Sequence, residues 1–287
     1  MSDASPAWWR APAGLLARLG TWRERRALER RAIPDDLWRL TLARLPFVAR
    51  LDESDQAELR RLCSLFLDRK EFHGVGGLEV TDDMALVIAA QACLPVLRLG
   101  LDVYAGFVTI VVHPEGVVAP RTEVDEDGVV HEYEEELSGE AMSNGPLMLA
   151  WSDVQDGTEL IDTVFNVVIH EFVHVIDAAA GAIDGVPPLP DRAARDHWIE
   201  VMDAAYAQFC QDVDDGYETV VDPYGAEAVE EYFAVAVEAF FIEPEPFRHE
   251  SRALYELFVG YFQQDPAALT PSLALARGLL PNLFTSP

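Results

Sequence analysis

Apolar positions recur at helical spacing over most of this chain, and a shorter central stretch alternates or runs continuously. Between Ala7 and Arg31, Trp8, Trp9, Leu15, Leu16, Leu19 and Trp22 keep a helix-like spacing. From Pro34 to Lys70 the pattern predicts two helices, the first opened by Pro34-Asp35-Asp36 and the second by Asp52-Glu53-Ser54-Asp55. Short acidic side chains there can accept from the unpaired N–H groups of a first turn. Leu59, Leu62, Leu65 and Phe66 give the second helix an apolar stripe. The segment Phe72 to Val80 holds Gly74, Gly76 and Gly77 and reads as a turn. Its glycine spacing is not that of a dinucleotide site, and no strand is expected before it. Thr81-Asp82-Asp83 then caps a helix through Met84, Ile88, Ala89, Ala92 and Leu97.

Phe107 to Val112 predicts a buried strand, and Val129 to Glu136 a short exposed strand within an acidic loop. Leu137 to Ala141 and Pro146 to Trp151 flank the turn Ser143-Asn144-Gly145 and predict a hairpin. That hairpin is either an edge that pairs with a substrate backbone or an ordinary part of the core. A strongly apolar helix follows through Val164, Phe165, Val167, Val168, Ile169, Phe172, Val173, Val175 and Ile176. Asp156-Gly157-Thr158 marks its start, and Gly181 after Ala178-Ala179-Ala180 its end. Asp184 to Pro190 is a stiff proline-rich loop, and helices resume over Asp191–Cys210, Tyr224–Phe241 and Ser251–Gln264.

Composition narrows the class. Half of the 287 residues are hydrophobic, enough for one large core or two small ones. The reading is an N-terminal helical segment, 1–70, docked on a core of 71–287, together one compact unit. The net charge of −29 disfavours direct binding of nucleic acid or an anionic membrane and favours solubility. The stretch from Ala7 to Arg31 differs, with seven arginines against Glu24 and Glu29. Such a basic amphipathic helix can lie on a membrane or a partner, but more often docks on its own acidic domain. Lys70 is the single lysine. No apolar run is long enough to span a bilayer, and the first residues do not form a secretory leader. Cys63, Cys93 and Cys210 are scattered, without CxxC spacing, as expected of free thiols in a reducing cytoplasm.

Chemistry concentrates in Ile169-His170-Glu171-Phe172-Val173-His174. Two imidazoles four residues apart share a helix face, roughly 5–6 Å apart at Cβ. Both can reach one metal ion at about 2.0–2.1 Å. Glu171 projects about 100° further round and serves as a general base rather than a ligand. The apolar flanks add weight, because a buried helix carries His, Glu and His only when partners satisfy them. A catalytic zinc site needs a third protein ligand. The HExxHxxGxxH continuation is excluded, since its glycine position is Asp177 and its third histidine position is Ala180. The acidic stretch Glu227 to Phe241 is the other source. Glu227, Glu231 and Glu238 share one helical face, with Glu230 about 100° away from Glu231. Periodicity leaves Glu231 and Glu238 both open. Asp177, a turn after His174, and Glu238 can each accept an imidazole N–H, and Asp177 can instead bond the proline-rich loop. His73, His113, His131, His197 and His249 lack metal spacing and read as structural or surface residues.

Several longer segments sharpen this: Gly76-Gly77-Leu78-Glu79-Val80-Thr81-Asp82, Ile88 to Leu94, Leu137 to Ala141, Asn166 to His174, Asp184-Gly185-Val186-Pro187-Pro188 and Glu231-Tyr232-Phe233-Ala234-Val235. In this order they resemble the Mlc titration factor A family of zinc peptidases, and the likeness runs from about Trp22 to Pro266. The resemblance implies an α+β fold with a zincin-like core similar to that of anthrax lethal factor, a mixed sheet packed on the HExxH helix, and added N-terminal helices. It implies one Zn²⁺ held by His170, His174 and Glu231, Glu171 as general base, and Tyr224 at the metal site as the oxyanion partner. The implied activity is hydrolysis of peptide bonds, aminopeptidase-type, on short peptides or accessible chain ends. An alternative implied role is binding and sequestering a transcriptional repressor, because the enterobacterial member is associated with capture of the glucose repressor Mlc. The chain departs from the family at Met142, where Trp is common, and over Thr158–Thr163, where most members carry a shorter segment. Both departures bear on substrate preference rather than on the zinc site.

Overall fold

Residues 13–124, 130–137, 139–141, 145–157 and 165–269 are described by a computed structural model, with side chains over 22–116, 145–157 and 165–269. The chain opens with α1 (Ala13–Arg30) and α2 (Asp35–Arg44), then a single turn, α3 (Pro46–Ala49), before α4 (Glu53–Arg69). Asp52 caps α4 by accepting from the Asp55 N–H at 2.8 Å. Leu59, Leu62, Leu65 and Phe66 form its buried stripe. The described end of α1 lies on α4. There Ala27 is buried, Arg30 bonds Asp68 at 2.8 Å, and Arg61 bonds Glu24. This basic helix therefore packs on α4, within the N-terminal segment itself.

A short strand, β1 (Glu71–Gly74), precedes the glycine turn, against the expectation of none. Its side chains are mostly exposed, so no apolar alternation marks it; its backbone pairs in parallel with β2 (Thr109–His113). Gly76 and Gly77 then take positive φ, 62° and 86°, as the turn after it requires. Between these strands runs α5 (Asp82–Cys93), capped by the Thr81 hydroxyl on the Met84 N–H. It stops before Leu97 because Pro95 has no N–H to continue the ladder. In β2, Ile110 and Val112 are buried and their neighbours half-buried.

Strands β3 (Val117–Val124) and β4 (Val130–Leu137) pair antiparallel as a separate ribbon. The acidic strand was legible in the sequence, but its partner β3 was not. The predicted hairpin is present as β5 (Gly139–Ala141) and β6 (Leu147–Ala150), while 142–144 of its turn, Met142 included, lie outside the described residues. Leu137 belongs to β4, and Trp151 opens α6 (Trp151–Asp156). The main sheet has the order β1-β2-β6-β5, parallel except for β5 at the edge, which lies against α7 (Val167–Ala178).

Asp156-Gly157 closes α6 rather than opening the apolar helix, and the segment 158–164 lies outside the described residues. The cap of α7 is Asn166, whose Oδ1 accepts from the Ile169 N–H at 2.9 Å. Helices α8 (Arg192–Asp214), α9 (Val229–Ile242), α10 (Pro244–Glu250) and α11 (Arg252–Phe262) complete the described chain. The helix predicted from Tyr224 is broken in two. Pro223–Ala226 forms a 3-10 turn, and α9 starts only at Val229. A Cβ on Gly225 would lie 2.6 Å from the Val235 side chain, so a glycine is needed to press this turn onto α9. One apolar core, from Ala27 to Phe262, crosses position 70 without a break. The fold is mixed α and β, mostly helical around a small, largely parallel sheet.

Candidate metal centre

Helix α7 is apolar on nearly every side, and Phe172 on its back packs against Phe66, Tyr104 and Phe107. That anchorage points His170 and His174 at the first turn of α9, where Glu231 meets them. The Nε2 atoms of the two histidines are 3.1 Å apart. Oε2 of Glu231 lies 3.1 Å from Nε2 of His170 and 3.4 Å from Nε2 of His174. The three side chains are 11%, 12% and 21% exposed, sunk but reachable from solvent. Among the described residues, these are the His, Cys, Asp or Glu side chains whose donor atoms converge, all within 4.8 Å of one another. Ligands at about 2.0–2.1 Å from a tetrahedral ion lie about 3.3–3.4 Å apart. The observed triangle is close to that, so the His-His-Glu group fits a metal ion.

The other nitrogen of His170, Nδ1, is 2.9 Å from Oε1 of Glu238, two turns along α9. A carboxylate there accepts a hydrogen bond from Nδ1 and so directs Nε2 at the other two donor atoms. Glu238 is fully buried, and its second oxygen accepts from the Asn166 N–H. The Asn166 amide in turn donates to Oε1 of Gln91 in α5 at 2.6 Å, and Gln91 donates to the Val87 carbonyl at 3.1 Å. The chain Gln91–Asn166–Glu238–His170 thus ties three helices to one imidazole through buried, partnered groups. Sequence reasoning placed Glu238 here but missed Asn166 and Gln91. Their signal was available: each is an amide inside an apolar run, a place where a partner is needed.

Charge at the crossing is strongly coupled. Burial pushes the His170 imidazolium down, but its hydrogen bonds to the Glu231 and Glu238 carboxylates outweigh it and lift the group to about 10. Burial acts upward on Glu231, and the bonds from His170 and His174 overcome it, holding this carboxyl well below the usual range. For Glu238 burial wins over His170, and its pKa is raised.

Glu171 is 5% exposed and lies about 100° round α7 from His170. Tyr224, on the 3-10 turn, is 46% exposed, with its ring centroid 6.1 Å from that of His170. Asp177 does not accept from an imidazole. Its carboxylate accepts from the N–H groups of Gly185 and Val186 at 2.7 and 3.0 Å, latching the proline-rich loop to the end of α7. Trp198 of α8 holds the same loop through the Gly185 carbonyl at 2.8 Å. Burial pushes Asp177 up, to about 6, against the pull of those two N–H groups. Glu227 lies in the exposed turn before α9, so the face it was expected to share with Glu231 does not extend that far.

A family model described as glucose-regulated metallo-peptidase M90 matches residues 19–263. The chain is 34% identical over 247 residues to the Synechocystis protein slr2042, covering 85% of this chain and 89% of that one. It is 35% identical over 232 residues to Mlc titration factor A of Klebsiella pneumoniae strain 342, covering 80% and 86%. To Mlc titration factor A of Serratia proteamaculans it is 36% identical over 236 residues, covering 80% and 88%.

Proposed function

The chain belongs to the M90 family of glucose-regulated metallopeptidases, and from that premise we propose that it is a zinc peptidase of the HExxH…E type, with a zincin-like core. The observation that carries this reading is the convergence of His170, His174 and Glu231, whose donor atoms have the spacing of three corners of a tetrahedral site. Two imidazoles and one carboxylate are also the donor set of well-known catalytic zinc sites. When bound, zinc supplies a Lewis acid that makes water more acidic and polarises a carbonyl oxygen.

The remaining steps belong to the chain's own residues. Glu171 takes the proton of the attacking water and delivers it to the leaving amine. Its carboxylate is buried on α7 beside the two histidines of the site. Tyr224 donates its hydroxyl to the carbonyl oxygen as negative charge develops. Being exposed on a turn, it can adjust to a bound peptide. Glu238 orients His170. The edge strand β5, lying against α7, supports a peptide backbone held by strand addition. The cleavage we propose is of aminopeptidase type, at an accessible chain end. The free cysteines suit a cytoplasmic protein. Among the described residues no helix is long and apolar enough to cross a membrane.

A second reading, binding of a transcriptional regulator, rests on the name Mlc titration factor A carried by several relatives. The variant Glu171→Gln separates the two. It should retain zinc and the fold while peptide hydrolysis falls by about 10²–10⁴-fold. Wild-type turnover by the purified variant would refute the mechanism.

A further inference from the structure

A groove of about 760 Å³ opens at the C-terminal end of α7, the helix that carries His170 and His174. We propose that it receives an apolar side chain of the peptide substrate, within two positions of the bond that is cut. This rests on the peptidase reading above and adds the substrate class.

The groove's chemistry is one-sided. Val103, Phe107, Leu147, Val175, Ala178 and Ile183 form its walls. Among its described lining residues the only ionisable one is Asp102, whose side chain is fully exposed at the rim and turned to Arg69 at 3.3 Å. A charged or strongly polar side chain would lose its water there without gaining a partner. The volume falls within the roughly 300–1,000 Å³ of small-ligand sites. Ile183 on its wall is 37% exposed, and Val108, next to Phe107, is 51% exposed, so apolar surface faces solvent here.

Position ties the groove to the reaction. Glu171, Val175 and Ala178 stand at i, i+4 and i+7, on one face of α7. The groove therefore begins about one helical turn, about 5.4 Å, beyond the general base on the base's own side. Leu147, the first residue of β6, also lines the groove and pairs with Ala141 of the edge strand β5. A peptide extended along that edge advances about 3.3 Å per residue, so one or two residues carry it from Glu171 to the groove. The occupant is thus a side chain of the same peptide whose carbonyl lies at Glu171.

The test compares zinc-loaded wild type with Ala182→Trp, using peptides that differ at one position as Leu, Phe, Ala, Asp or Lys. Ala182 is an exposed residue of the groove's wall, so a large side chain there fills the groove without entering the core. For wild type, kcat/KM for the best position should favour Leu or Phe over Ala by about ten-fold or more. Ala182→Trp should remove most of that ratio, whereas Ala207→Trp, on the exposed side of α8, should keep it. The same peptides, titrated by fluorescence anisotropy into Glu171→Gln and into Glu171→Gln/Ala182→Trp, give the preference without turnover. Equal ratios in wild type and Ala182→Trp, or a preference for Asp or Lys, would overturn the proposal and leave the groove to another occupant. Groove-dependent binding without cleavage by wild type would sustain the groove and sink the peptidase reading. Neither cleavage nor groove-dependent binding would sink both.

Discussion

The N-terminal helices and the crossing of α7 with α9 use the same kinds of charged side chain in opposite ways. Around α4, arginines meet carboxylates at the surface: Arg30 with Asp68, Arg60 with Asp35, Arg98 with Asp55. Arg30 is 61% exposed, so water screens its pair and the guanidinium keeps much of its hydration if Asp68, itself 19% exposed, is lost. At the crossing, Glu238 is fully buried and Glu231 largely so, facing imidazoles. Removing one partner there strands the other in a poorly solvated place. Exposed pairs contribute about 0–1 kcal/mol. Breaking a buried pair costs about 3–5 kcal/mol. In a chain of net charge −29, exposed arginines fasten the helices, while the buried carboxylates Glu171 and Glu238 stand at the crossing and Asp177 latches the loop beside it.

This contrast can be broken or sharpened in four ways. The largest effect is expected from Glu231→Ala, which should weaken zinc binding by more than about 100-fold in chelator competition, whereas Glu230→Ala should leave it near wild type. Equal losses in the two variants would remove Glu231 from its proposed place. Next, Glu238→Ala should cost about 3–5 kcal/mol in denaturant unfolding of the metal-free protein. It should also lower zinc affinity about 10–100-fold. A loss below about 1 kcal/mol would mean that the crossing behaves like the surface pairs.

Lys70 stands between the two regimes, a buried cation held by neutral groups. Its Nζ donates to the carbonyls of Tyr104, at 2.6 Å, and Phe107, and lies 3.5 Å from the Phe107 ring centre. Burial, with Arg69 adding to it, pushes its pKa from 10.5 down to about 8. Between those values the folded chain holds fewer protons than the unfolded chain. The contribution of Lys70 to stability therefore rises with pH across that window. Unfolding of wild type and Lys70→Met at about pH 7.5 and about pH 10 should show the difference shifting in favour of wild type at the higher pH. A difference independent of pH would mean that the carbonyls and the ring fully replace the lost hydration. The smallest effect is expected from Arg30→Ala, below about 1 kcal/mol by the same unfolding measurement and reduced further by salt.

Legibility followed the range of the interaction. The caps Asp52 and Thr81, the stripe on α4 and the hairpin strands β5 and β6 all depend on neighbours a few residues away, and all were readable. The start of α7 was misplaced because Asp156-Gly157 looks like a cap, while Asn166, which is the cap, was hidden within the apolar run. The strand β1 was missed because nothing in its own residues marks it. Only β2, 38 positions later in register, makes it a strand.

What the sequence by itself determined is the pair of imidazoles on one helix face with a carboxylate beside them, because a four-residue spacing on a helix leaves no other arrangement. It also narrowed the partner carboxylates to one acidic helix. Which carboxylate met which nitrogen was left to the tertiary structure. Glu231 and Glu238 share a face of α9, and only the crossing with α7, set by the buried aromatic and amide contacts behind it, puts Glu231 at Nε2 and Glu238 at Nδ1 of His170. The same holds for Asp177, which a turn's spacing allowed to serve His174 and which the returning loop claimed instead. Local periodicity fixes a direction around one helix axis; the partner found in that direction depends on how distant segments pack.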